Sequence, residues 1–415
     1  MKVAEGSTDT KETAVQQALR PYVTAGIALV GSGLISVTPA VPPMPGLSTI
    51  RDVALTGAFD DFLQPWIDQY NTAAANAQLL INNFALAPFV GYQQQIANQG
   101  DLWSQAINDP STIPDVTNQL QEDAKSAADA YTLINAGALG FLTPGDPVTE
   151  MVTDHTLSGE ADLDLTGETI STLGHKLLMG FLPAMLPADL DPETVTPILN
   201  FLASPLSGLI MGALGPSLSP WVALMNSISD GDGLNEIMAN MAGAFFNGAT
   251  LNLDFLIPIV EQTGLLPEGT NIYHIDLALG GLFTPGVVAS APNLVPGTGV
   301  ELAAPGGSIF NSIGLDLDAN VLGASLPAVV PAHAVGPIGA WEGWMQAMGA
   351  VLGSGWSGKS NPQDAVAPLT GFQLPQIPDD LFDDGGAAAA VAGASDAASP
   401  DMLQDLLDLF IGAGG

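Results

Sequence analysis

Near the end of its well-patterned part the chain reads GSGWSGKS, Gly353 to Ser360, which has the G-x-x-x-x-G-K-S spacing of a phosphate-cradling loop. Such a loop works when a buried strand feeds it and a helix leaving Lys-Ser points its positive end at the phosphates. Here the preceding residues, WEGWMQAMGAVL (Trp341 to Leu352), read as a helix, and Pro362 and Pro368 follow. The segment is therefore expected to be a glycine-rich exit from a helix and not a nucleotide site. SDGDGLNE, Ser229 to Glu236, groups Asp230, Asp232 and Glu236 like a shortened calcium loop, but it lacks the ligand spacing of an EF-hand and reads as a solvated turn. His155, His175, His274 and His333 are scattered, with no H-E-x-x-H, and no G-x-S-x-G occurs. Asp154-His155 is expected to be an exposed turn. With 43 Asp and Glu a glycosidase-type carboxylate pair has material, but nothing in the spacing selects one. No catalytic, cofactor-binding or metal-binding residue is assigned, and no cofactor is expected.

Composition bounds the partners. Seven Lys and Arg stand against 43 Asp and Glu, a formal charge of −36, so phosphates, nucleic acids and anionic headgroups are repelled. Charged residues are nevertheless only 12% and mean hydropathy is +0.33, which suits an envelope or secreted protein better than a metabolic enzyme. There is no cysteine, which removes disulfides, zinc-thiolate sites and thiol catalysis. Arg20-Pro21-Tyr22 followed by VTAGIALVGSGLISV (Val23 to Val37) and Thr38-Pro39-Ala40 has the layout of a secretory signal. An uncleaved anchor or a buried helix fits the same residues.

The elements follow from periodicity. Phe59, Phe62, Leu63, Trp66, Ile67 and Tyr70 recur at three- and four-residue steps and predict a helix continuing through Leu80 and Phe84. Further helices are expected over about Phe89 to Ile107 and after Ser111-Thr112-Ile113-Pro114, giving an N-terminal helical hairpin or bundle packed as a core. Thr194 to Ser229 carries no charge, and Pro197, Pro205, Pro216 and Pro220 are expected to cut it into short apolar helices; Ile198 to Gly215 is the alternative membrane span. Four stretches alternate with period two: Gly159 to Glu168, Ala249 to Ile257, Asn271 to Leu279 and Ser308 to Asp318. Each sets Leu, Ile or Phe on one face and Asp162 and Asp164, Asp254, Asp276, or Asp316 and Asp318 on the other. Strands of this length suit a transmembrane barrel with these acids facing the channel; they equally suit a small antiparallel sheet packed on helices. Thr-Pro-Gly in Leu139 to Pro147 and Gly280 to Val288 marks two chain reversals. The expected class is α+β: a signal-like segment at 1–40, a helical domain at 41–140, a mixed region at 141–358, and a disordered acidic tail at 359–415 ending in an amphipathic helix.

LRPYVTAGIALVGSGLISVTPAVPP (Leu19 to Pro43), RDVALTG (Arg51 to Gly57), NNFALAPFVGYQQQIANQ (Asn82 to Gln99) and the Thr-Pro-Gly segments resemble the GjpA-type outer membrane porins of mycolic-acid-bearing actinobacteria. The likeness is strongest over roughly the first 145 residues. It implies an exported protein of the outer membrane or cell envelope forming a cation-preferring aqueous channel, with small hydrophilic solutes or cations as its partners. Four strands cannot close a barrel, for which about eight is the minimum, so several chains would each have to lend strands. The competing expectation is a secreted or surface-attached structural protein without transport, with a fainter resemblance to PE/PPE-type surface proteins.

Overall fold

The structure, a computed structural model, describes residues 58–140, 144–159, 171–185, 192–262, 269–295, 300–321, 324–353, 367–373 and 375. The signal-like segment, Asp162 and Asp164, residues 354–360 of the phosphate-loop spacing and the acidic tail apart from 367–373 and 375 lie outside them. The fold is α+β.

The larger compact unit spans 55–97 and 122–370. Its sheet has the order β1-β7-β6-β3-β2, with β1 at Ser171–Thr172, β2 at Ala249–Asn252, β3 at Asn271–Leu279, β6 at Ile313–Val321 and β7 at Ala324–Val330. The pairs β2–β3, β3–β6 and β6–β7 are antiparallel, and β1 joins β7 in parallel. The register stacks the apolar positions: Ile272 faces Leu317, Ile275 faces Leu315, Leu277 faces Ile313 and Leu251, and Leu315 and Leu317 face Val330 and Ala328. That side rests on Leu178 and Met179 of α5 (His175–Met185) and Ala203 beyond α6 (Pro192–Leu202). At the other end Leu279 packs with Met211 and Val222 of α7 (Pro205–Asp230). Each fully buried Leu or Ile there contributes about 1.5–3 kcal/mol. The apolar backs of the strands thus face protein, so the multi-chain barrel with those backs toward lipid is not their arrangement.

Two expected strands are shortened. After β2 the chain turns into a 3₁₀ turn at Asp254–Leu256 and the helix α9 (Ile257–Gln262), because the Asn252 side chain accepts from the Asp254 amide and donates to the Asp254 carboxylate and ends the extended run. Ser308 to Ser312 turns into a buried 3₁₀ turn at Phe310–Ser312, and the Ser308 hydroxyl donates to the Thr156 carbonyl. The hairpin of β4 (Val287–Val295) with β5 (Val300–Pro305) forms a separate two-stranded sheet.

Of the four prolines expected to cut the apolar middle only Pro205 marks a break, between α6 and α7; Pro197 lies inside α6, and Pro216 and Pro220 lie inside α7. Ser204 accepts the amide of Ser207, Pro205 occupies the first turn where no amide is needed, and one helix then runs through Pro216 and Pro220 to a left-handed Gly231. Tertiary packing holds it: a side chain at Gly208 or Gly215 would meet the carbonyls of Gly307 or Gly280, and the Ser219 hydroxyl donates to the carbonyls of Leu279 and Gly280. Among the described residues α7 alone is long and apolar enough to cross a membrane, and 44% of its most apolar window is buried in the protein.

Helix α1 (Ala58–Leu86) has the expected period but not the expected burial, since Phe62, Ile67 and Tyr70 are exposed. Amides attach it instead to α8 (Leu234–Asn247). Trp66 donates to Asn235 at 3.0 Å, Gln69 donates to Asn240 at 3.2 Å, and Asn247 donates to the Gln69 carbonyl at 2.9 Å. Helix α1 thus belongs with α8 to the larger compact unit. The C-terminal helix of this unit, α10 (Pro337–Val351), packs Met345 and Met348 on Ala87 and Val90.

The second unit includes 98–121 and 371–415, so α2 (Val90–Asn108) and α3 (Ile113–Thr132) contribute to both units. Within it the ring of Phe372 fills the space over Gly100. Asp109 caps the 3₁₀ turn Pro110–Thr112 by accepting from the Ser111 amide and hydroxyl, and these bonds hold its carboxyl below the usual range. The remaining helix, α4 (Pro147–Thr153), belongs to the larger unit and is capped by Asp146.

Candidate functional site

The sheet has a second face, and the register that stacks Leu and Ile on one side gathers acids on the other. Asp276 lies opposite Asn252 and Gly314, Asp316 opposite His274, and Asp318 opposite Asn271. Asp254, on the 3₁₀ turn after β2, reaches back to the same face. One of its oxygens accepts the Ile275 amide at 3.0 Å and the other the Asn252 side chain at 2.9 Å. Those bonds, the Ile275 amide first, hold its carboxyl below the usual range, and nearby His274 adds to them. Four of the six acids named from sequence are thus brought onto one face; Asp162 and Asp164 lie outside the described residues.

His274 stands between two of them. Its Nδ1 is 2.7 Å from Asp254 Oδ1 and its Nε2 is 3.5 Å from Asp276 Oδ2. Asp276 lies over Gly314, where any side chain would collide with its carboxylate. The face is half exposed, and among the described residues the only Lys or Arg are Lys125 and Lys176, neither of them on the sheet. Lys176 is paired with Asp154 at 2.6 Å and Lys125 lies 3.8 Å from Asp129. The sheet front is therefore an anionic surface with a single imidazole on it, able to concentrate cations and repel anions. Among the described residues no group of three or more His, Asp or Glu is placed to hold a metal ion.

The other sequence candidates resolve into structural parts. The residue run before Gly353 is α10, so the phosphate-loop spacing is fed by a helix and not a strand. In the SDGDGLNE segment Glu236 is engaged in capping α8, its carboxylate accepting the Gly233 amide at 2.9 Å, while Asp232 accepts from Asn240 at 3.1 Å. Asp230 and Asp232 edge a polar cleft of about 200 Å³ with Gln69, Asn226 and Asn240. Asp154-His155 is not an exposed turn at the histidine: His155 is 1% exposed, because the chain folds inward there to meet the loop at Gly306.

Sequence reading missed a buried serine–histidine pair. The Ser158 hydroxyl is 3.0 Å from His175 Nδ1, and His175 Nε2 is 2.7 Å from the Ile313 carbonyl. A carbonyl only accepts, so Nε2 carries the proton and Nδ1 accepts from the hydroxyl. Burial pushes the His175 pKa down to about 4 and keeps the ring neutral. With both ring nitrogens bonded and both residues buried, the pair joins the Ser158 turn to the sheet. No local spacing announces it, since the partners come together only when β6 is in place.

Comparison of the chain with protein-family models, with curated proteins and with solved structures finds no match.

Proposed function

We propose that this chain is an exported cell-envelope protein whose activity is cation-preferring passage of small hydrophilic solutes or ions through an assembly of several copies. The observation that carries the reading is the sheet front: Asp254, Asp276, Asp316 and Asp318 on one water-facing surface without a lysine or arginine among them. Rings or walls of carboxylates are how aqueous channels favour cations. The chain's charge of −36 and its signal-like N-terminus support the same reading. Because the strand backs are covered by α5, α6 and α7, the acids would line a path between subunits or at its mouth, and the lipid-facing wall would come from elsewhere in the assembly.

Reconstitution of the purified protein in planar bilayers tests this. Expected are discrete conductance steps and a reversal potential favouring cations in a salt gradient, shifted toward zero by combined Asp254→Asn, Asp276→Asn, Asp316→Asn and Asp318→Asn changes. Absence of conductance, or selectivity untouched by the four changes, would overturn it. The second reading, a surface-attached protein without transport, is favoured by the open sheet and its covered back, and it predicts envelope fractionation without conductance.

A further inference from the structure

We propose that the outer side of α7 is an interface with α7 of a second copy of this chain, the two helices antiparallel about a two-fold axis at Trp221. Of six exposed large apolar side chains on this helix, Ile210 is the least exposed at 37%; the other five, Leu214, Leu218, Trp221, Met225 and Ile228, are between 44% and 63% exposed. Their steps are four, three, four, three. That is the alternation with which one helix presents a seam to another, repeating every seven residues. A helix facing lipid needs apolar side chains but no such repeat. Here the outer apolar residues keep to one line, and the exposed neighbours Ala213 and Ser217 are small enough for a second helix to come close. Pro216 is buried and lies off the seam.

Charge selects the occupant and the direction. Two chains of −36 repel one another, yet α7 from Pro205 to Ser229 has no charged residue, so this line lets two copies meet without opposing acids. A parallel pair would set Asp230 and Asp232 beside their own copies. The antiparallel pair sets them beside the uncharged N-terminal half of the other helix. Trp221 is midway between Leu214 and Ile228, so in that arrangement Trp221 meets Trp221 and Leu214 meets Ile228. Burying the five side chains on both copies removes on the order of 1,000 Å² from water, the lower limit for a stable interface. The proposal goes beyond the channel reading and stands without it.

The test exploits the absence of cysteine, since one introduced thiol is the sole thiol of the chain. In full-length protein under mild oxidation, Trp221→Cys should give a disulfide-linked dimer. Leu214→Cys and Ile228→Cys should each stay unlinked alone and cross-link when mixed, a pair that keeps Trp221 in place. Light scattering of the unaltered chain should give twice 42.4 kDa, and Leu218→Asp with Met225→Asp should halve it with the far-ultraviolet circular dichroism unchanged. A monomeric unaltered chain at tens of micromolar overturns the proposal, as does Leu214→Cys linking to itself as readily as Trp221→Cys. So does a monomer that floats with phosphatidylcholine vesicles through this stripe, which would make the occupant lipid. A dimer without conductance would retain the seam and remove the channel reading.

Discussion

His175 and Glu342 are both titratable, both buried in the larger unit, and opposite in how their polar atoms are met. His175 is 1% exposed with each ring nitrogen bonded. Glu342, on α10, is 5% exposed, and its Oε2 has no hydrogen-bond partner among the described residues; nor has Oε1 of Gln346 one turn on. The Gln346 amide donates to Asn83 at 2.6 Å, and all three residues border a cavity of about 10 Å³ among Phe84, Phe89, Val90 and Trp341. Burial drives the Glu342 pKa up to about 8, so the carboxyl is mainly neutral at pH 7. The difference teaches that burial of a polar group strengthens the fold only where partners replace water.

The largest effect expected from this contrast is at the bonded site. His175→Ala should cost about 3–5 kcal/mol in chemical denaturation, since it empties a packed volume and strands the Ile313 carbonyl. Glu342→Gln should have the opposite sign. The folded state binds the Glu342 proton more tightly than the unfolded state, so this group's contribution to stability declines as pH rises from about 4.5 through 8. At pH 9 Glu342→Gln should therefore gain on the order of a few kcal/mol over the unaltered chain, and little at pH 4.5. His175 tilts the acid side the other way: its folded pKa of about 4 lies below 6.5, so its contribution is complete above pH 6.5 and is lost as pH falls toward 4. Denaturation midpoints from pH 4 to 9 should show both slopes, and each variant should remove one. If Glu342→Gln is destabilising at pH 9, the contrast between the two sites fails.

Asn200 sharpens the rule with an uncharged group. Its buried amide donates to the carbonyls of Leu133, Ala136 and Gly137 at 2.9–3.1 Å. Asn200→Ala should cost about 1–3 kcal/mol in the same denaturation measurement. The smallest change belongs to Gln69→Ala, where half-buried amide bonds to Asn240 and Asn247 compete with water. A loss under about 1 kcal/mol is expected, read as a shift of a few degrees or less in thermal melting.

The parts of the fold that could be read in advance were those written in local period. Asn271 to Leu279 is β3, alternating from His274 onward after an irregularity that puts Ile272 and Ile275 on one face; Trp341 to Leu352 has helical spacing and lies in α10 and its C-cap. Asp276, Asp316 and Asp318 were legible for the same reason, because alternate positions of a strand share a face whatever the pairing, whereas Asp254 joins them from a 3₁₀ turn. What local pattern could not give was which apolar side is covered, and by what. Phe62, Ile67 and Tyr70 have core spacing yet stay exposed, because α1 docks through Gln69 and Trp66. Pro216 and Pro220 looked like helix breaks, but the contacts of Gly208, Gly215 and Ser219 with distant carbonyls overrode them. The Ser158–His175 pair depends on Ile313, far along the chain, and no window of sequence contains all three.

The sheet's outermost members are its shortest, two residues in β1 and four in β2. Both margins of the five-stranded sheet therefore offer few free amides and carbonyls to an incoming strand. That sheet is thereby poorly suited to growing side-by-side with another, and the longer open edges among the described residues are those of the β4–β5 hairpin.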